Sequence, residues 1–337
     1  MHPTSHPNPH EPSPSPPRLS LVSFAWFVPV MGWSGLGLAW LKAPDSWSAF
    51  AQGCALLATA MAVLVFLAVT GVSAWRWQRH PQAIRADFQH PVRHAFLATF
   101  PISMILLAAL GVAWGHANDG RVQGLWWIGV LGELMITVWV LSRCMRPSDA
   151  GGLPWPVITP LMIIPIVGNV LVPLAGLHWD AEGWVAAQFG LGVFLWPLVL
   201  GLMLARWIQA GPLPARMTPT LFVMVAPPSV IGLSLLQWQA PALLAWAAWG
   251  VAWMSLLWSG TRLPQIYALP FGMAHWGMSF PLAAFAALSL RLGQTAQGAW
   301  LQFPAQCALV IATLVILWLT LKTLQGLLNG HLLVPEA

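Results

Sequence analysis

Long apolar runs dominate the chain, interrupted only by short clusters of polar, basic and turn-forming residues. Ten runs reach membrane length, over 21-41, 49-75, 94-114, 122-142, 155-177, 183-205, 217-237, 241-259, 266-290 and 304-324. A helix crosses a hydrocarbon core of ~30 Å with about 20 residues, and stretches such as Ala51 to Ser73 and Phe303 to Leu321 meet that length. The short alternation of lipid-facing and lumen-facing positions that a transmembrane β-barrel requires is missing. The pattern predicts an all-α integral membrane protein with ten transmembrane helices. The first run is too long for a signal peptide and has no small-residue cleavage site before Lys42, so it is expected to stay in the mature protein.

Alternate runs carry a proline near the middle. Pro29, Pro101, Pro165, the pair Pro227 and Pro228, and Pro281 fall in runs one, three, five, seven and nine, at spacings of 72, 64, 62 and 54 residues. This reads as five helical hairpins. Proline inside a helix removes a hydrogen bond and clashes with the preceding turn, costing ~3 kcal/mol or more. In a bilayer the freed groups need protein or water rather than acyl chains. The proline-kinked odd-numbered helices are therefore expected to form an inner ring around a central pore, with their straighter partners outside.

Composition narrows the choice of function. Hydrophobic residues make up 58% of the chain and charged residues 7%, against roughly a quarter charged in a soluble domain. The spans use up nearly the whole chain, which leaves no room for a soluble catalytic domain. Of the 14 Lys and Arg, 11 fall on the side of the N-terminus and only Lys42, Arg121 and Arg291 on the other. The positive-inside rule then puts both termini in the cytoplasm of a multi-pass inner-membrane protein. That bias accounts for the net charge of +5 without a nucleic-acid partner. Residues 1-20 read as a disordered Pro/His/Ser-rich tail, 21-327 as one pore domain and 328-337 as a short cytoplasmic tail. His2, His6 and His10 in the first tail could hold a metal only weakly. Cys54, Cys144 and Cys307 stand singly, so neither a disulfide framework nor a metal site is indicated, and no cofactor is implied.

A few side chains stand out against this background. Arg93, Arg216 and Arg262, with Arg18, lie at the cytoplasmic starts of odd-numbered spans, where a ring of cations would steer anions to a pore mouth. Each also serves as a topology signal. Glu133 in span four and His275 in span nine are ionisable groups within the membrane. Glu133 is either a hydrogen-bonded structural residue or a proton-coupling site, and His275 either bonds a neighbour or lines the pathway. Phe280, directly before Pro281, is either packing or a plug in a narrow lumen. Gly32 and Gly35 permit close helix approach or widen the pore. The stripes Trp26, Trp33, Trp40 and Trp246, Trp249, Trp253 read as packing or interfacial faces.

Four stretches carry a resemblance: FVPVMGWSGLGLAW in span one, DFQHPVRHAFLATFP leading into span three, ARMTPTLFVMVAPPSV in span seven and HWGMSFP in span nine. In order, they resemble the tellurite-resistance/dicarboxylate transporter family, which includes bacterial TehA-type proteins and the plant guard-cell slow anion channels. The resemblance runs from about Phe24 to the end of span ten. It implies a ten-helix protomer of five hairpins, a homotrimer with one pore per protomer, and a pore-occluding phenylalanine that matches Phe280. It also implies anionic substrates: chloride, nitrate, dicarboxylates, sulfite or tellurite.

The sequence reading is therefore an anion channel for small inorganic anions, embedded in lipid, and not an enzyme. The nearest rival is a proton-coupled dicarboxylate or tellurite/sulfite carrier with Glu133 as coupling group. An intramembrane serine protease, suggested by Gly32-Trp33-Ser34-Gly35 with His275 as base, is disfavoured by its place in a glycine-rich first span.

Overall fold

A computed structural model of the chain describes residues 17–147 and 150–333, and every regular element among them is helical. Ten helices form the frame: α1 (Phe24–Trp40), α2 (Asp45–Arg79), α3 (Arg93–Ala113), α4 (Gly120–Cys144), α5 (Pro160–Gly176), α6 (Glu182–Ala210), α7 (Ala215–Gln237), α8 (Ala242–Gly260), α9 (Met273–Gly293) and α10 (Ala296–Leu328). Eight are long and apolar enough to cross a membrane; α1 and α5 are shorter. The opening turns of both are 3-10, which rise ~2.0 Å per residue rather than 1.5 Å, so α1 still extends roughly 27 Å.

Each odd-numbered helix packs along the even-numbered helix that follows it. The odd helices also contact one another in the order α1, α3, α5, α7, α9, and α9 closes on α1. The inner and outer layers differ sharply in burial. In α3, α7 and α9, 72–78% of the apolar window is buried, against 17–33% in the even helices. The outer helices instead expose large apolar side chains such as Leu64, Ile128, Phe194 and Leu314, a surface suited to lipid rather than water.

The prolines do not break the middles of α-helices. Each inner helix begins as 3-10 and becomes α beside its proline: at Val28 before Pro29, Thr99 before Pro101, Ile164 before Pro165, Ala226 before Pro227 and Ser279 before Pro281. Each proline thus stands in the first turn of an α-helix, where a missing N–H is least costly. The carbonyls near the junctions are met by side chains. The Thr99 hydroxyl reaches Phe24 O at 2.7 Å, Thr137 donates to Pro165 O at 2.7 Å, Asn169 donates to the same carbonyl at 2.7 Å, and Ser229 donates to Val225 O at 2.7 Å. The outer layer is not free of internal proline, since Pro197 lies inside α6.

A second regularity appears where the hairpins open. The last two turns of each even helix are tied to the opening of its own odd partner. Arg76 donates to Ser20 O, Arg143 to the carbonyls of Phe88, Gln89 and His90, and Arg206 to Pro156 O. Ser259 donates to Leu221 O, and Thr323 accepts from the Trp276 indole. These three arginines are at most 4% exposed. Arg76 also pairs with buried Asp87 at 2.6 Å, on the connecting helix Pro81–Gln89.

The described residues begin ahead of position 21. Arg18–Leu21 forms a 3-10 turn anchored by Arg76, while the tail histidines lie outside the described residues. At the other end, Leu332 folds back on Gly326.

Removing Arg76 strips Asp87 of its closer partner and leaves the Ser20 carbonyl unmet. Arg76→Ala is expected to cost about 3 kcal/mol, read as an earlier unfolding transition, whereas Arg79→Ala at an exposed site should cost under about 0.5 kcal/mol.

Candidate functional site

The five inner helices meet around a cavity of about 30 Å³ on the axis of the ring. Each contributes an apolar side chain: Met31 from α1, Phe96 from α3, Ile164 from α5, Val223 from α7 and Phe280 from α9. All five lie within five residues of a ring proline. The space would admit about one or two waters by volume, but its walls offer almost nothing to bond. Thr220 brings a hydroxyl, which is already engaged with Met217 O at 2.6 Å. No charged side chain lines the cavity.

Phe280 is 4% exposed and sits at the second position of the α-helical part of α9. Its ring lies on Gly35: a Cβ there would come within 2.8 Å of Cδ2. Gly32 gives the same close approach to Ser279, where a Cβ would meet Oγ at 2.6 Å. The two glycines therefore act by bringing α1 against α9. The ring itself supplies the wall that a larger residue at 35 would displace.

The sequence-predicted ring of cations is not assembled. Arg93 turns to Asp87 at 3.4 Å. Arg262 lies in a lateral groove between α6, α7 and α8, on a different face of α7 from the central cavity. Arg216 is exposed at the start of α7. Charge repulsion among unpaired arginines favours this dispersal, and Asp87 offers Arg93 a partner that a pore mouth lacks. At the opposite face, burial, together with the charge of Arg291, holds the Lys42 ammonium below its ordinary pKa.

His275 does not face the cavity. It caps the start of α9 through Gly272, at 3.1–3.2 Å, and packs between Phe271 and Trp318 of α10. It makes no hydrogen bond to Ser34, whose buried hydroxyl has no partner, so the two do not form a nucleophile and base. The stripe of Trp246, Trp249 and Trp253 is packing: Trp249 and Trp253 stack on Phe285, and the Trp249 indole donates to Ser289 at 2.9 Å.

Glu133 is fully buried on α4 behind the inner ring, away from the cavity. Neighbouring turns hold a polar chain, with Gln188 donating to Val130 O and Asn169 Oδ1, and Asn169 donating to Thr137. Among the described residues, neither Glu133 oxygen has a partner, nor does Gln188 Oε1. The carboxyl fills the space over Gly168 of α5, the one-atom side chain that lets α4 and α5 close. Residues 133 and 168 are far apart in sequence and share no motif, so only tertiary structure reveals the contact.

Gly168→Ala drives a methyl group into the Glu133 carboxyl. It is expected to destabilise by about 1–3 kcal/mol despite alanine's better helix propensity, and Gly168→Ala with Glu133→Ala should cost less than the sum of the two single changes. Denaturant unfolding of the four proteins checks this.

Similarity to known proteins agrees with this architecture. Residues 22–324 match the SLAC1 family model, described as voltage-dependent anion channel. An uncharacterized transporter of Methanocaldococcus jannaschii is 27% identical over 79% of this chain and 82% of its own length. The tellurite resistance protein TehA homolog of Haemophilus influenzae is 24% identical over 89% of each chain. The S-type anion channel SLAH2 of Arabidopsis thaliana is 23% identical over 71% of this chain, which spans 45% of that longer protein. An inner ring of five apolar helices, a charge-free axis and a family match across nearly the whole length lead to one assignment: the chain belongs to the SLAC1 family of voltage-dependent anion channels.

Proposed function

We propose that this protein is a channel for small monovalent anions in the cell inner membrane, spanning it ten times, with both termini on the cation-rich cytoplasmic face and with Phe280 closing the pathway at rest. The observation that carries the reading is the apolar, charge-free constriction on the ring axis, filled at its α9 side by Phe280. An ion entering such a space must shed water without finding a partner, so the closed state excludes ions by dewetting. Displacing the phenyl ring opens the path without any change in charge.

Anion preference has a physical source other than a ring of arginines. All five inner helices run from the same face, so the positive ends of their backbone dipoles converge at one mouth. The surplus of Lys and Arg on that face adds a longer-range attraction. A dicarboxylate needs a fixed cation for its second charge, and the cavity walls supply none. The proton-coupled carrier is less well supported, because Glu133 lies behind α5 and not on the axis. The family consists of channels and transporters, so the protease reading is set aside. A homotrimer with one pore per protomer belongs to the same proposal and rests on the family resemblance.

Currents in planar bilayers test the gate. Wild type should be nearly silent, and Phe280→Ala should raise chloride and nitrate conductance by at least about tenfold, equivalent to 1.4 kcal/mol off the permeation barrier. Gly35→Ala, which pushes the ring off its seat, should give an intermediate conductance. Silence of both variants, with pH-driven malate uptake intact in liposomes, would instead establish a coupled carrier.

A further inference from the structure

A second cavity, of about 320 Å³, opens between the cation-rich ends of α6, α7 and α8. Trp207 and Trp258 form one wall, edge to face at 5.3 Å. Leu221 and Met224 form the floor, on the 3-10 part of α7 that separates this groove from the central cavity. Arg262 and Gln265 stand at the rim. The Arg262 guanidinium is exposed and makes one long bond of 3.4 Å to Gln265 Oε1, which leaves most of its donors free for an anion. None of the lining residues is acidic.

The surroundings of the groove are apolar. Leu204 is 38% exposed and Met254 59%, about one turn deeper on α6 and α8 than Trp207 and Trp258 and on the same helix faces, and Leu263 beside Arg262 is 50% exposed. The site thus offers a cation at the level where the helices end, tryptophans of the kind that settle at the membrane interface, and a greasy outer face leading towards the bilayer core. A soluble anion would use the first feature and gain nothing from the others. A phospholipid uses all three, and basic pockets between transmembrane helices suit acidic head groups.

We propose that this groove binds an anionic phospholipid of the leaflet on the cation-rich face, with its phosphate on Arg262, its glycerol region against Trp207 and Trp258, and its chains along Leu204 and Met254. The site is separate from the axial pathway, and the proposal does not depend on Phe280 being a gate.

Native mass spectrometry of the purified full-length protein, titrated with phosphatidylglycerol or phosphatidylcholine, tests it. Wild type should bind phosphatidylglycerol roughly tenfold more tightly than phosphatidylcholine, as one charge-assisted contact predicts. Arg262→Gln should remove that preference, whereas Arg216→Gln should keep it. Because residue 262 is exposed, the Arg262→Gln protein should unfold at the wild-type temperature in lipid-free detergent, separating lost binding from lost fold. Millimolar inorganic phosphate should not displace the lipid. Equal affinity for the two lipids, an unchanged preference in Arg262→Gln, full displacement by inorganic phosphate, or exclusion of lipid by a second copy of the chain would each overturn the proposal.

Discussion

Backbone hydrogen bonding in a water-free medium is the constraint on which the structure turns. Five inner helices change from 3-10 to α register inside the membrane, each beside a proline that brings no N–H. In lipid, an unmet carbonyl costs several kcal/mol, so these junctions can exist only where hydroxyls and amides are delivered to them. Thr99, Thr137, Asn169 and Ser229 make that delivery. Two of them, Thr137 on α4 and Thr99 reaching across to α1, bind one helix to another. The outer layer is therefore part of what makes the inner layer possible, and the axial cavity exists because the ring is supported from behind.

The same logic extends to the ends of the hairpins. Arg76, Arg143 and Arg206 are buried cations, and a buried guanidinium needs most of its donors met. Backbone carbonyls take most of them, Asp87 takes one from Arg76, Arg206 Nε has no partner among the described residues, and the carbonyls belong to the segments leading into the inner helices. These buried arginines thus fasten the segments leading into α1, α3 and α5. Arg93 joins this system through Asp87, at 3.4 Å, rather than a pore mouth.

Much of this architecture could be read from the chain. Run length revealed the spans, and the alternation of Pro29, Pro101, Pro165, Pro227 and Pro281 separated inner from outer helices, because proline demands protein support. The 3-10 turns were not legible: no residue pattern in FAWF or RHAFLA distinguishes them from α, and packing decides. Charge placement could not tell a solvent-exposed Arg216 from a buried Arg206, since burial depends on which loop folds over the side chain. Gly32 and Gly35 could be read either as close-approach residues or as residues that widen the pore. That Gly35 receives the Phe280 ring, and Gly168 the Glu133 carboxyl, depends on helix rotation, which a sequence with apolar residues on every face leaves undetermined.

In the channel we propose, the walls discriminate by the cost of dehydration, with charge confined to the approaches. The most direct test is the permeability sequence of the Phe280→Ala protein, from reversal potentials in bi-ionic chloride, nitrate, thiocyanate and sulfate. A dehydration-limited path predicts thiocyanate above nitrate above chloride, with sulfate essentially excluded. A sequence led by sulfate or another dianion would mean that a fixed cation grips the ion within the membrane, and would contradict the account.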